Sequence, residues 1–143
     1  MTNRLETLMQ AKLPDSLYRF SPLQSLLELR LPLLMSRAIR DKLQPASKRC
    51  AIAVNGLEIS SDWLPPVYLC LRRLERLLQR NARYGISNLP YLVQVKEKFG
   101  DLRVYLNYPE ALSAEVQIEL EDKMEAIIAK TRSRLCSPET LIS

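Results

Sequence analysis

A chain of 143 residues, 47% hydrophobic and 26% charged, has the composition of one globular domain, and a single unit spanning 1–143 with a substantial core is expected. Twenty-one Lys and Arg against 16 Asp and Glu leave a net charge of +5, which favours an acidic protein surface as partner, with nucleic acid as the second possibility. Histidine is absent, and this excludes Ser-His and Cys-His nucleophile pairs, an imidazole general base and Cys/His zinc sites.

Other chemistry is thin as well. Neither G-x-x-x-x-G-K-[ST] nor G-x-G-x-x-G occurs, and three glycines leave little backbone for a phosphate cradle. Cys50, Cys70 and Cys136 are odd in number, widely spaced and form no C-x-x-C pair, so buried or free thiols are expected. These absences predict a protein that is not an enzyme, with no catalytic residues, no metal site and no cofactor. The start MTNRLETLMQ predicts no secretory leader. The most apolar run, LLELRLPLLM (26–35), is interrupted by Glu28, Arg30 and Pro32 and is too short for a bilayer, so a cytoplasmic protein without membrane contact is expected.

In chain order, ETLMQAKL (6–13) predicts a short helix closed by Pro14. Ser21, Pro22 and Gln24 form an S-x-x-Q start for a helix over about 22–43. Leu23, Leu26, Leu27, Leu34, Ala38 and Ile39 share its apolar stripe, and Pro32 should kink or split it. CAIAVNGLEIS (50–60) predicts a β-hairpin: Asn55-Gly56 is the preferred type I′ turn pair, placing Val54 opposite Leu57 and Ile52 opposite Ile59 on one face. A helix over 64–83 follows, with Asp62 as its cap, Pro65 and Pro66 in its first turn, and Trp63 packed at the junction. Val67, Leu71, Leu74 and Leu78, flanked by Cys70 and Leu77, form its core stripe, and Arg72, Arg76, Arg80 and Arg83 cluster on the other side.

A second hairpin is predicted over 91–107. With Glu97 opposite Leu102 across Lys98-Phe99-Gly100-Asp101, Val95 meets Val104 and Val93 meets Leu106, and Gly100 supplies the positive φ. The polar face then carries Lys96 opposite Arg103, a like-charge pair that costs stability unless an anion comes near. Ser113 caps a last helix over 113–135, with Val116, Leu120, Met124, Ile127, Thr131 and Leu135 inward; beyond Cys136 a flexible tail is expected. The fold class is therefore α+β, two antiparallel hairpins covered by helices at 22–43, 64–83 and 113–135.

The segments LPDSLYRF (13–20), GLEISSDWLPPVYLCLRRLE (56–75), QVKEKFGDLRVYL (94–106) and TRSRLC (131–136) resemble a family of small, mostly uncharacterised bacterial and phage proteins. That family carries a Y-P-E-L-[FY] start, a tryptophan segment opening a helix with L-C inside, a QVKEKFGxLRFY hairpin and an ending near C-E-x-C-G. The hairpin is the specific match, and residues 21–55 have no counterpart. Ser60 or Ser61 stands where relatives often have cysteine, and Cys136-Ser-Pro-Glu139 replaces the terminal C-x-x-C. A zinc site implied by those cysteines is lost here. The resemblance implies a shared fold and no enzymatic activity.

Three functions follow from these features. The first is a protein-interaction module of immunity, phage anti-defence or adaptor type, binding and inhibiting or regulating its partner through Lys96, Lys98, Arg103 and Tyr105. The second is a nucleic-acid binder using Arg72, Arg76, Arg80 and Arg83. An enzyme built on the loop carboxylates Glu97 and Asp101 ranks last. The identity of the partner and the oligomeric state have no signal in the sequence.

Overall fold

A computed structural model describes residues 22–135. The expected helix over 6–13, the Ser21 cap and the tail beyond Cys136 lie outside the described residues.

Helix α1 (Pro22–Arg30) stops just before Pro32, which cannot donate to the helical ladder, and α2 (Ser36–Asp41) resumes after a turn. The break leaves the amides of Leu33 and Leu34 in need of acceptors. Both find the Glu75 carboxylate, at 3.1 and 2.8 Å to Oε1, from the middle of a later helix. Leu27, Leu31, Leu34, Met35 and Ala38 are buried, so the apolar stripe continues through the split while Ile39 turns outward.

The expected hairpin over 50–60 does not form. Residues Ala51–Asn55 are a one-turn helix, α3, and Gly56 ends it at φ 65°, ψ −150°, its N–H bonded to Ile52 O at 3.1 Å. Two causes compete with the turn signal. Alanines 51 and 53 favour helix over strand, and the buried Asp41 carboxylate accepts the Cys50 N–H at 2.8 Å, satisfying a donor at the helix start. What survives of the second strand is β1 (Leu57–Glu58), which pairs parallel with a later strand, Leu57 beside Val95 and Glu58 beside Lys96.

Helix α4 (Leu64–Arg80) has its prolines in the first turn as expected. Asp62 is not its cap. It lies in a 3-10 turn over Ser61–Trp63, and no side chain caps the helix. Trp63 is half-buried against the core at this junction. The helix closes at Arg80, where the Asn81 side-chain amide donates back to Leu77 O at 2.8 Å, and Arg83 leaves the helix in a second 3-10 turn over Ala82–Tyr84.

Strands β2 (Tyr91–Lys98) and β3 (Asp101–Asn107) pair antiparallel, so the sheet has order β1-β2-β3 and is mixed rather than built from two antiparallel hairpins. Near the turn the expected register holds, with Glu97 opposite Leu102, Lys96 opposite Arg103 and Val95 opposite Val104. The ladder closes one pair further, Lys98 to Asp101, and the turn is the two residues Phe99 and Gly100, both at positive φ (55° and 76°). At the other end a bulge between Leu92 and Gln94 shifts the pairing, and Leu92, not Val93, faces Leu106. That extra residue turns Leu92 into the core with Val95 and Leu102 and leaves Val93 half-buried.

Helix α5 (Ala114–Leu135) begins with the Ser113 hydroxyl accepting the Val116 N–H at 3.4 Å, and buries Leu120, Met124, Ile128, Thr131 and Leu135. Ile128 takes the place expected for Ile127. Helices α4 and α5 pack together, α5 reaches β3, and α2 and α3 cover β2. No helix among the described residues is long and apolar enough to cross a membrane.

Candidate interaction surface and the cleft beside it

The β2–β3 turn presents its two residues to solvent. Phe99 is 95% exposed, and it is the one non-glycine residue at positive φ among the described residues. Asn, Asp or Gly is the ordinary occupant of that first turn position. A phenylalanine there carries the left-handed penalty of about 1–2 kcal/mol and buries nothing. The Lys98 ammonium sits 5.8 Å above its ring, so the tip is an exposed aromatic with a cation at its side.

Behind the tip, Lys98, Lys96 and Gln94 on β2 stand opposite Asp101, Arg103 and Tyr105 on β3, forming one polar face. Lys96 lies 5.7 Å over the Tyr105 ring and has no carboxylate within ion-pair distance among the described residues. Glu58, its neighbour across the parallel pair, instead accepts Gln94 Nε2 at 2.9 Å. Arg103 differs. Its Nη2 is 3.5 Å from Asp101 Oδ2, and Asp101 in turn takes the Arg132 guanidinium from α5 through both oxygens, at 3.3 and 2.5 Å. The anion that the Lys96–Arg103 juxtaposition calls for is therefore internal. Arg103 belongs to a strand–helix clamp, while Lys96, Lys98 and Tyr105 remain outward.

The arginine stripe is only partly a stripe. Arg72 is half-buried with Nη1 3.4 Å from Arg30 O, Arg76 and Arg80 are exposed, and Arg83 donates to Arg80 O and lies 4.6 Å over the Tyr84 ring. No hydrogen bond, ion pair or ring contact joins these arginines to Lys96, Lys98, Arg103 or Tyr105 among the described residues.

Tyr105 instead joins residues that sequence reasoning left without a role. Beside the bulge, an open cleft of about 510 Å³ is lined by Arg37, Lys48, Arg49, Tyr91, Tyr105 and Asn107, with Val93 and Leu106 as its apolar wall. Arg37 reaches it from α2, held by Nε to Asp41 Oδ1 at 2.9 Å and by Nη1 to Tyr91 Oη at 3.1 Å. Arg49 folds the 42–49 loop back on itself, donating to Gln44 O at 2.8 Å and Lys42 O at 3.2 Å. Lys48 is exposed and has no partner among the described residues.

The electrostatics of this corner are fixed by Asp41. Its burial would raise its pKa, but the hydrogen bonds from the Cys50 amide and Arg37 outweigh that and hold the carboxyl below its usual value. Arg37 is correspondingly held more firmly protonated, first by the Asp41 hydrogen bond. Burial, then Asp41, pushes the Cys50 thiol up, so it stays protonated and is a poor nucleophile. Cys70 is buried and likewise raised by burial. Among the described residues no group of three or more acidic, cysteine or histidine side chains could hold a metal ion.

The signal that could have found this cleft was the basic pair Lys48-Arg49 just before Cys50. Phe99 was also legible, as an F-G pair where a turn prefers N-G. Comparisons with family models, curated proteins and solved structures returned no match for this chain.

Proposed function

We propose that the protein is a non-catalytic interaction module that engages an acidic protein partner with the tip and outer face of the β2–β3 hairpin, inhibiting or regulating that partner. The observation that carries this reading is Phe99, exposed in a backbone conformation that disfavours it, between Lys98 and Gly100. Left in water, the ring adds about 1–2 kcal/mol of strain and no burial. Docked in a partner's apolar pocket, a phenylalanine gains about 1.5–3 kcal/mol, enough to offset a strain of that order. Lys98 and Lys96 then select an acidic rim around that pocket, and Tyr105 extends the contact along β3. The QVKEKFG segment supplies both the anchor and the two lysines, so the suggested kinship with the small bacterial and phage proteins and the interaction reading rest on the same residues.

The test is affinity capture from nuclease-treated and untreated host lysate, comparing the wild-type chain with a Phe99→Asn/Lys98→Glu variant. A stoichiometric acidic protein retained after nuclease by wild type and lost by the folded variant supports the reading. Equal capture by both chains refutes it. Capture that vanishes with nuclease moves the function to the exposed Arg76, Arg80 and Arg83.

A further inference from the structure

The geometry points to a second binding site, independent of the hairpin tip: the cleft between the 46–50 segment and the strands takes a phosphate monoester carried on a flat ring, a ligand of nucleoside monophosphate size. It goes beyond the partner reading and shares with it only Tyr105.

Three observations converge. The first is charge. Arg37, Lys48 and Arg49 line the cleft and no carboxylate does. Asp41 lies behind Arg37 and is already saturated by Arg37 Nε and the Cys50 amide, so it offsets one of the three cations and leaves two. A phosphate monoester carries about −1.5 to −2 at neutral pH, which matches that residue of charge better than a single carboxylate does.

The second is an imbalance of donors. The Tyr91 hydroxyl is met by Arg37 Nη1 at 3.1 Å and by the Asn107 amide at 2.5 Å. With the amide nitrogen toward the phenol, the phenolic proton is left to donate outward. With the amide turned over, its oxygen takes that proton and its NH₂ is left over instead. Either orientation leaves this pair a hydrogen-bond donor to spare at the cleft, beside Lys48. Phosphate oxygens are acceptors only when ionised, and a donor-rich, acceptor-poor lining is what they require.

The third is shape. The β-bulge leaves Val93 half-buried, and it lines the cleft together with Leu106 and Tyr105. These residues give a planar base apolar surface within a cleft that Arg37, Lys48 and Arg49 also line. The volume falls within the range of small-ligand sites.

The experiment is isothermal titration of the full chain with adenosine 5′-monophosphate at low salt, with adenosine and inorganic phosphate as separate arms. Saturable binding of the nucleotide is expected, at least tenfold tighter than either fragment. Lys48→Glu, at a side chain with no hydrogen bond or ion pair among the described residues, and Tyr91→Phe, which keeps the ring, should each weaken the nucleotide about tenfold while circular dichroism and Tm of Lys48→Glu stay at wild-type values. No heat with the nucleotide at millimolar concentration overturns the assignment, as does binding that Lys48→Glu leaves unchanged. Phosphate alone binding as tightly as the nucleotide eliminates the ring-bearing ligand. Partner capture through Phe99 and Lys98 should be unaltered in Lys48→Glu, so the two readings fail separately.

Discussion

Two X-Gly pairs behave in opposite ways. Asn55-Gly56 has the residues a type I′ hairpin turn prefers, yet it closes a one-turn helix; Phe99-Gly100 lacks them, yet it makes the two-residue turn. What separates them is the demand of the neighbouring backbone. Residues 50–54 have helix-compatible alanines and a buried carboxylate waiting at their first amide, whereas 91–98 and 101–107 are strands on both sides with β-branched residues and tyrosines inward or stacked. A turn dipeptide is a local vote, and the pairing available to the flanks overrules it.

Four perturbations sharpen or break that contrast. Asp41→Ala removes the acceptor that fixes the start of α3 and strands the Cys50 amide; a loss of about 3 kcal/mol in urea denaturation is expected, and an unchanged midpoint would mean α3 needs no such anchor. Gly56→Ala has room, since the nearest atom to a new Cβ is Gln24 Oε1 at 3.6 Å, so its cost is backbone strain alone, about 2 kcal/mol. Were this region a hairpin turn, amide exchange would instead show cross-strand protection between residues 52 and 59.

Acid gives a gentler version of the first test. Asp41 has its folded pKa below the ordinary carboxyl value of about 3.9, so its stabilisation is fully present above about pH 4 and is lost as pH falls through the folded value. Tm measured from pH 6 downward should therefore stay level to about pH 4 and drop below it, with a shallower drop in Asp41→Asn. The smallest effect has the opposite sign. Phe99→Asn relieves part of the left-handed penalty and should raise stability by about 0.5 kcal/mol while abolishing partner capture, a pairing of outcomes that mere surface substitution would not produce.

The contrast also marks how far the sequence could be read. The split at Pro32, the α4 and α5 stripes and the Lys96–Arg103 register follow from periodicity and turn length, which are local properties. The bulge at Val93 is not local: it depends on Leu92 finding the core and on its amide bonding Leu34 O at 2.8 Å, from a segment 58 positions earlier. Lys96, Lys98 and Tyr105 were legible as a polar face from alternation alone. The Asp101 clamp on Arg103 was hidden because its third member, Arg132, comes from helix α5 rather than the strand. The cleft was hidden because Arg37, Lys48 and Arg49 stand more than forty positions before Tyr91, and only the tertiary fold brings them to it.

Glu75 carries a consequence for how this sequence can drift. It stands on the buried stripe of α4, between Leu71 and Leu78, and serves the two amides that Pro32 releases. Leucine at 75 alone would strand those amides in the core; alanine at 32 alone would let the helix run on and consume them, leaving a buried carboxylate with the Gln79 side-chain amide in place of three donors. Each single change is harmful in the presence of the other's original residue, and the two together are nearly neutral. Positions 32 and 75, forty-three apart in the chain, are thus tied by sign epistasis: a lineage keeps both or exchanges both, and the order of the two steps decides which intermediate it must survive.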